Sequence, residues 1–161
     1  MNDSHEPKAM RLSRIQLAQM MQPEHANSQG NVHGGWIMKL VDEAGALAST
    51  RHAAHRTVTV AIDQMVFRQP IHIGDLVRFY AEVTYAGHTS MEVEVDVIAE
   101  IPISGQQTHT NAAFLVYVAI DDDGKPTRIP PLVAETPEEL ARMDAAREHQ
   151  QRRLAQKASH S

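Results

Sequence analysis

The stretch from Gly34 to about His52 limits the fold more than any other part of the chain. Trp36, Ile37, Leu40, Val41, Ala44, Leu47 and Ala48 recur at helical spacing and make one apolar stripe, longer than most strands could be. A second face of this helix carries Met38, Asp42, Gly45, Ala46 and Ser49. Small residues there let another backbone or a ligand approach closely. After the helix the period becomes two. Val58, Val60, Ile62 and Val66 alternate with Thr57, Thr59, Ala61 and Asp63. Val77, Phe79, Ala81, Val83 and Tyr85 form a second such run, and Met91, Val93, Val95 and Val97 a third, against Glu92, Glu94 and Asp96. Turn residues at Pro70 to Asp75 and at Gly87-His88 separate the runs, as in an antiparallel meander. From Ala112 to Ile120 the chain is almost continuously apolar, which predicts a strand buried on both faces.

A short strand over Arg14–Met21, closed by Pro23, precedes a loop from Glu24 to His33 that holds Asn27, Ser28, Gly30 and Asn31. The expected class is therefore α+β, an antiparallel sheet wrapped around one long central helix. One helix cannot cover both sides of a broad sheet, so pairing with a second copy is the economical way to bury the rest. Residues 8–123 read as this domain, and residues 124–161 as an extended linker and a C-terminal surface helix. Pro126, Pro130 and Pro131 hold the linker open; Thr136-Pro137-Glu138-Glu139 is a helix-start signature.

Composition narrows the chemistry. The chain of 161 residues has 42% hydrophobic residues but only 4% aromatic, so the core must be built from Val, Ile, Leu, Met and Ala. It has no cysteine, which excludes disulfides, a thiolate nucleophile and a zinc-thiolate site. A net charge of −5 gives no basic field for nucleic acid. The start MNDSHEPKAM lacks the apolar core of a signal peptide, and no window approaches the length of a membrane span. A cytoplasmic protein without membrane insertion is expected.

The segment from Asn27 to Asp42 has the residues for acyl transfer. Gly34 and Gly35 open the helix where a ligand can meet backbone directly. The first helical N–H groups lack internal partners and carry the positive end of the helix dipole, so a thioester carbonyl near Gly34, Gly35 and Trp36 would find donors for an oxyanion. Asp42 lies about two turns along and supplies a base or nucleophile; Asn27 offers an amide. On residues alone the same pattern also describes a capped helix with a tight glycine entry and an exposed Asp42.

The string HANSQGNVHGGWIMKLVDEAGALASTRHA, His25 to Ala53, closely resembles the signature of hotdog-fold acyl-CoA thioesterases, in particular the cytosolic brain-type long-chain hydrolases and their short bacterial relatives. The likeness continues through TVTVAIDQMVFRQPIHIGD, GHTSMEVEVDV and RIPPLV, covering most of Leu12 to Val133. The resemblance implies a hotdog fold hydrolysing medium- to long-chain fatty acyl-CoA, with coenzyme A as part of the substrate and no other cofactor. It puts the catalytic pair on Asn27 and Asp42, contributed by different subunits of a homodimer, and implies a trimer of dimers. It places coenzyme A along Val60, Ala61 and Ile62 and at Thr89, Ser90 and Met91. The adjacent acid Glu43 aligns less well than Asp42. The acyl tail is expected beside Gly45, Ala46 and Ser49.

Other residues have blander readings. His33 suits a loop or a coenzyme A contact better than the base of a hydratase or dehydratase, the second function considered; a non-catalytic acyl-CoA-binding regulator is the third. His52 and His55 read as cations at a helix C-terminus, with no ligand set for a metal. Asp121-Asp122-Asp123-Gly124 reads as a turn, because Leu132 stands where a calcium loop needs its glutamate. Arg152 and Arg153 either reach coenzyme A phosphates or end a solvated helix, Trp36 belongs to the core, and Glu92, Glu94 and Asp96 read as a solvated sheet face.

Overall fold

The computed structural model describes residues 5–63, 65–67, 69–109 and 112–160. In chain order the elements are β1 (Lys8–Ala9), β2 (Ile15–Met20), α1 (Gly34–Ala53), β3 (Arg56–Ile62), β4 (Leu76–Ala86), β5 (Ser90–Ile101), β6 (Gln106–His109), β7 (Ala113–Ile120), β8 (Leu132–Val133) and α2 (Pro137–Ser159). Six strands form one antiparallel sheet in the order β2-β4-β5-β7-β3, with β6 also paired to β5. β1 and β8 make a separate parallel pair.

Alternation in the strands decides how helix and sheet meet. Val77, Phe79, Ala81 and Val83 on β4, and Met91, Val93, Val95 and Val97 on β5, are each 2% exposed or less. Period-two spacing turns all eight toward α1, where Ile37, Val41, Ala44 and Ala48 are equally buried. Fully burying a Val or Ile side chain contributes about 1.5–3 kcal/mol. A slip of one residue would turn the whole set to the opposite face, so register is strongly fixed.

The helix starts and stops as its sequence suggests. His33 caps it, with Nδ1 accepting from Gly35 N–H; Ala54 ends it in the left-handed region at φ 55°. Its buried arc is rotated relative to the predicted stripe. Leu47 is 48% exposed and Trp36 half-buried, while Gly45, Ser49 and His52 are buried. The reason is that the sheet approaches over the small residues.

His52 corrects its expected role as a charged helix end. It is buried and its Nε2 lies 2.8 Å from Pro130 O. Burial lowers its pKa below the ordinary histidine value, opposed by the Pro130 bond and reinforced by Lys8. The neutral ring donates from Nε2 and ties α1 to the segment before β8. The Asp121–Gly124 stretch is a turn, with Asp121 Oδ1 accepting from Asp123 and Lys125 N–H.

The outer face of the sheet departs most from expectation. α2 starts at the Thr136 cap, which accepts from Glu139 N–H, and lies across that face. Glu92, read as solvated, is fully buried, with His149 Nδ1 at 3.1 Å and Arg153 Nη1 at 2.9 Å. Arg142 spans Glu82 and Glu94, and Arg14 reaches both Glu82 and Glu139. Burial still raises the Glu92 carboxyl above the usual carboxylate range, against the opposing pull of Arg153 and His149. Alternation put the acids on the outer face; a basic stripe on α2 covers them. Asp96 alone of the three remains exposed.

Candidate active site

Asp42 faces the junction of β3 and β7. Thr59 and Tyr117 are cross-strand partners there, and both turn their hydroxyls toward α1. Thr59 Oγ1 donates to Asp42 Oδ1 at 2.7 Å, and Tyr117 OH donates to the same oxygen at 2.9 Å and to Asp42 O at 3.1 Å. No group among the described residues donates to Oδ2. The carboxylate is thus fixed by one oxygen and presents the other. Asp42 has no cation partner among the described residues, whereas neighbouring Glu43 is exposed and pairs with Lys39 at 3.4 Å.

A strand irregularity contributes to this geometry. The β3–β7 register shifts between Thr59 and Ala61, leaving Val60 unpaired; such bulges re-aim side chains. Further along α1, Ser49 Oγ meets Thr57 Oγ1 at 2.8 Å. Between them Gly45 lies against Tyr117, and a Cβ added to Gly45 would lie 2.3 Å from the phenol oxygen. The expected acyl path beside Gly45 and Ser49 is therefore closed by the sheet. The Tyr117 ring and the Thr57 hydroxyl, not a ligand, occupy the space beside these small residues.

Asn27 lies in the loop ahead of α1, and the helix start at Gly34 is itself roughly 12 Å of helical rise from Asp42. Its Oδ1 accepts from Gln29 N–H at 2.9 Å and Asn31 N–H at 3.1 Å, in a turn closed by Asn27 N–H to Asn31 O. That assigns the carbonyl oxygen and leaves both Nδ2 protons without a partner among the described residues. Asn27, Val32, Gly34, Ile37, Phe67 and Ile71 line part of a cavity of about 230 Å³. Of the helix-start amides, Gly35 N–H is taken by His33 Nδ1 and Trp36 N–H by His33 O. Gly34 N–H has no partner among the described residues and lies at this cavity. Trp36 packs edge-on against buried His25, ring centroids 4.6 Å apart. Within one chain Asn27 and Asp42 share no hydrogen bond.

The residues expected to hold coenzyme A lie on β3, at the start of β5 and on α2. Val60 and Ile62 are exposed and Ala61 half-buried on β3, whose outer edge is unpaired among the described residues. Thr89 and Ser90 are half-buried at the start of β5, but Met91 is 1% exposed in the core, so only its backbone could contribute. Arg152 is exposed on α2. Arg153 is committed elsewhere, to Asp63 at 3.1 Å and Glu92. Thr59 and Tyr117 were missed by sequence reasoning. One looked like an ordinary polar alternate, the other like part of an apolar run, and only cross-strand register reveals that they meet.

The thioesterase superfamily matches residues 29–104 of the chain. The acyl-CoA thioester hydrolase YciA of Salmonella typhimurium is 36% identical over 118 residues, covering 71% of this chain and 88% of that protein. An acyl-CoA hydrolase from Staphylococcus aureus, solved with butyryl coenzyme A and coenzyme A, superposes with a TM-score of 0.86 at 31% identity, over 94% of this chain and 93% of that one. Variants of that enzyme with an aspartate, an asparagine or a threonine replaced by alanine are similarly alike. An apo-hexameric acyl-CoA thioesterase reaches a TM-score of 0.90 at 31% identity, over 95% and 98% of the two chains. A helix inside an antiparallel sheet, matched over nearly its whole length to such enzymes, places this chain in the hotdog-fold thioesterase superfamily, among the acyl-CoA thioester hydrolases.

Proposed function

We propose that the protein hydrolyses medium- to long-chain fatty acyl-CoA to free acid and coenzyme A at a site completed by two copies of the chain. The observation that carries this reading is the Asp42 carboxylate, pinned at Oδ1 by two hydroxyls and open at Oδ2. Asn27 Nδ2 and Gly34 N–H of one protomer donate to the thioester carbonyl oxygen. Asp42 of a second copy supplies the base. Its Oδ2 takes a proton from water as the water oxygen attacks the carbonyl carbon; the tetrahedral oxyanion collapses, the carbon–sulfur bond breaks, and the proton passes to the departing thiolate. Direct attack by Oδ2, through an anhydride, starts from the same orientation. The apolar lining from Val32, Ile37, Phe67 and Ile71 suits the acyl portion.

Sharing between protomers is supported by the unpaired β3 edge. It carries Val58, Val60 and Ile62, each at least 41% exposed, and such an edge is a template for pairing with another chain. A hydratase reading is disfavoured by His33. With Nδ1 accepting from Gly35 N–H, the neutral ring carries its proton on Nε2 and offers a donor, not a base.

Two measurements test the proposal. Thiol release is followed across an acyl-CoA series, where absence of release at every length rejects the activity. Inactive Asp42→Ala and Asn27→Ala chains are then unfolded together and refolded. Mixed dimers contain one intact site, so activity returns to roughly a quarter of the parental value. A mixture as inactive as its components rejects the shared site.

A further inference from the structure

Three places offer more than the proposed chemistry uses. The first is a cleft of about 450 Å³ beside α2 that includes Arg14, Tyr80, Glu82 and Arg142. Its guanidinium groups are already spent on Glu82, Glu94 and Glu139. The second is the basic end of α2 with Lys157 and His160, where Arg153 is likewise spent on Asp63 and Glu92. The third is Tyr117, a phenol completely buried beneath α1 whose oxygen has one direction to point.

We infer that Tyr117 is a positioning residue for hydrolysis, with Gly45 as the gap that admits its hydroxyl to Asp42. The inference rests on the proposed thioesterase activity and deepens it. A carboxylate with a single hydroxyl donor can still turn about its Cβ–Cγ bond, exchanging the two oxygens. Donors from two strands converging on Oδ1, one from Thr59 on β3 and one from Tyr117 on β7, stop that rotation and keep Oδ2 outward. The phenol's second contact, to Asp42 O at 3.1 Å, ties this orientation to the helix backbone as well.

The close approach is built into the sequence. Asp42 and Gly45 are three residues apart on one helix face. Any side chain at Gly45 would occupy the place of the phenol oxygen, 2.3 Å away, and crowd ring atoms at 3.0 and 3.1 Å. Burial, then the Asp42 bond and charge, push the phenol well above its ordinary pKa. It remains a donor at every pH the enzyme meets. Tyr117 is completely buried, so its effect passes through Asp42.

The test is a cycle of Tyr117→Phe, Gly45→Ala and the double variant, measured for kcat, KM and thermal midpoint with acyl-CoA. Tyr117→Phe keeps the ring and removes one charge-assisted hydrogen bond, so kcat falls about tenfold or more while KM holds. Gly45→Ala forces the phenol aside and lowers kcat at least as much. In that background Tyr117→Phe costs no further turnover, because the hydroxyl no longer reaches Asp42. Parental kcat in Tyr117→Phe overturns the inference, as do multiplicative losses in the double variant. If Tyr117→Phe fails to fold, Gly45→Ala with parental kcat overturns it alone. Thiol release by the parent enzyme in the same assay keeps the proposed activity standing whichever way the cycle falls.

Discussion

Each face of the sheet meets a helix with a carboxylate between them, one from β5 and one from α1, and the two carboxylates are treated in opposite ways. On the outer face Glu92 is completely buried and meets Arg153 and His149. On the inner face Asp42 is half-buried and meets two neutral hydroxyls and no cation among the described residues. A guanidinium and an imidazole spend the lone pairs of an acid, making it part of the scaffold. Hydroxyls orient it and leave the charge available. Burial alone would rank Glu92 as the functional residue; the partners reverse that order.

The contrast can be broken at either face. The largest expected effect is Asp42→Ala, which lowers kcat by about 10³-fold with an unchanged unfolding midpoint; a parental rate would remove Asp42 from the chemistry. Next comes Glu92→Leu, which leaves His149 without its carboxylate and Arg153 with Asp63 alone, and destabilises the fold by about 3 kcal/mol in urea. Its kcat stays near the parent's, and a large loss of turnover at full occupancy of the fold would erase the proposed division of labour. Thr59→Ala lies lower, at about tenfold in kcat, since Tyr117 still holds Oδ1. Loss equal to that of Asp42→Ala would mean Thr59 acts on substrate directly.

The smallest effect concerns pH. The His52 pKa is lowered in the fold, so the folded state binds its proton less readily than the unfolded chain. Stability from this group is present above its ordinary value of 6.5 and is lost as pH falls through the lower folded value. The thermal midpoint therefore drops on acidification, and His52→Gln flattens that slope. An unchanged slope assigns the acid sensitivity to another group.

What could be read in the sequence followed from periodicity. Spacing of 3.6 and the Gly34-Gly35 pair gave α1, spacing of two gave β4 and β5 with their inward residues except Tyr85, which a bulge pairs with outward Glu92, and the Thr136 cap gave α2. Asn27 and Asp42 came through the family resemblance. Thr59 and Tyr117 stayed hidden because cross-strand partnership depends on register, and a bulge beside Thr59 perturbs even that. Glu92 was misread because alternation tells which face a side chain takes, never whether that face is covered. A signal did exist: Arg142, Ala146, His149 and Arg153 share one helix face, a row of hydrogen-bond donors spaced around the buried Ala146 and suited to a ladder of acids.

The contact between Gly45 and Tyr117 also constrains how this chain can diverge. A lineage that first enlarges position 45 collides with the phenol. One that first exchanges Tyr117 for a residue without the hydroxyl relieves the tightest contact, and alanine can follow. Of the two mutational orders leading to the same pair, only the second avoids that collision, at the expense of the bond to Asp42.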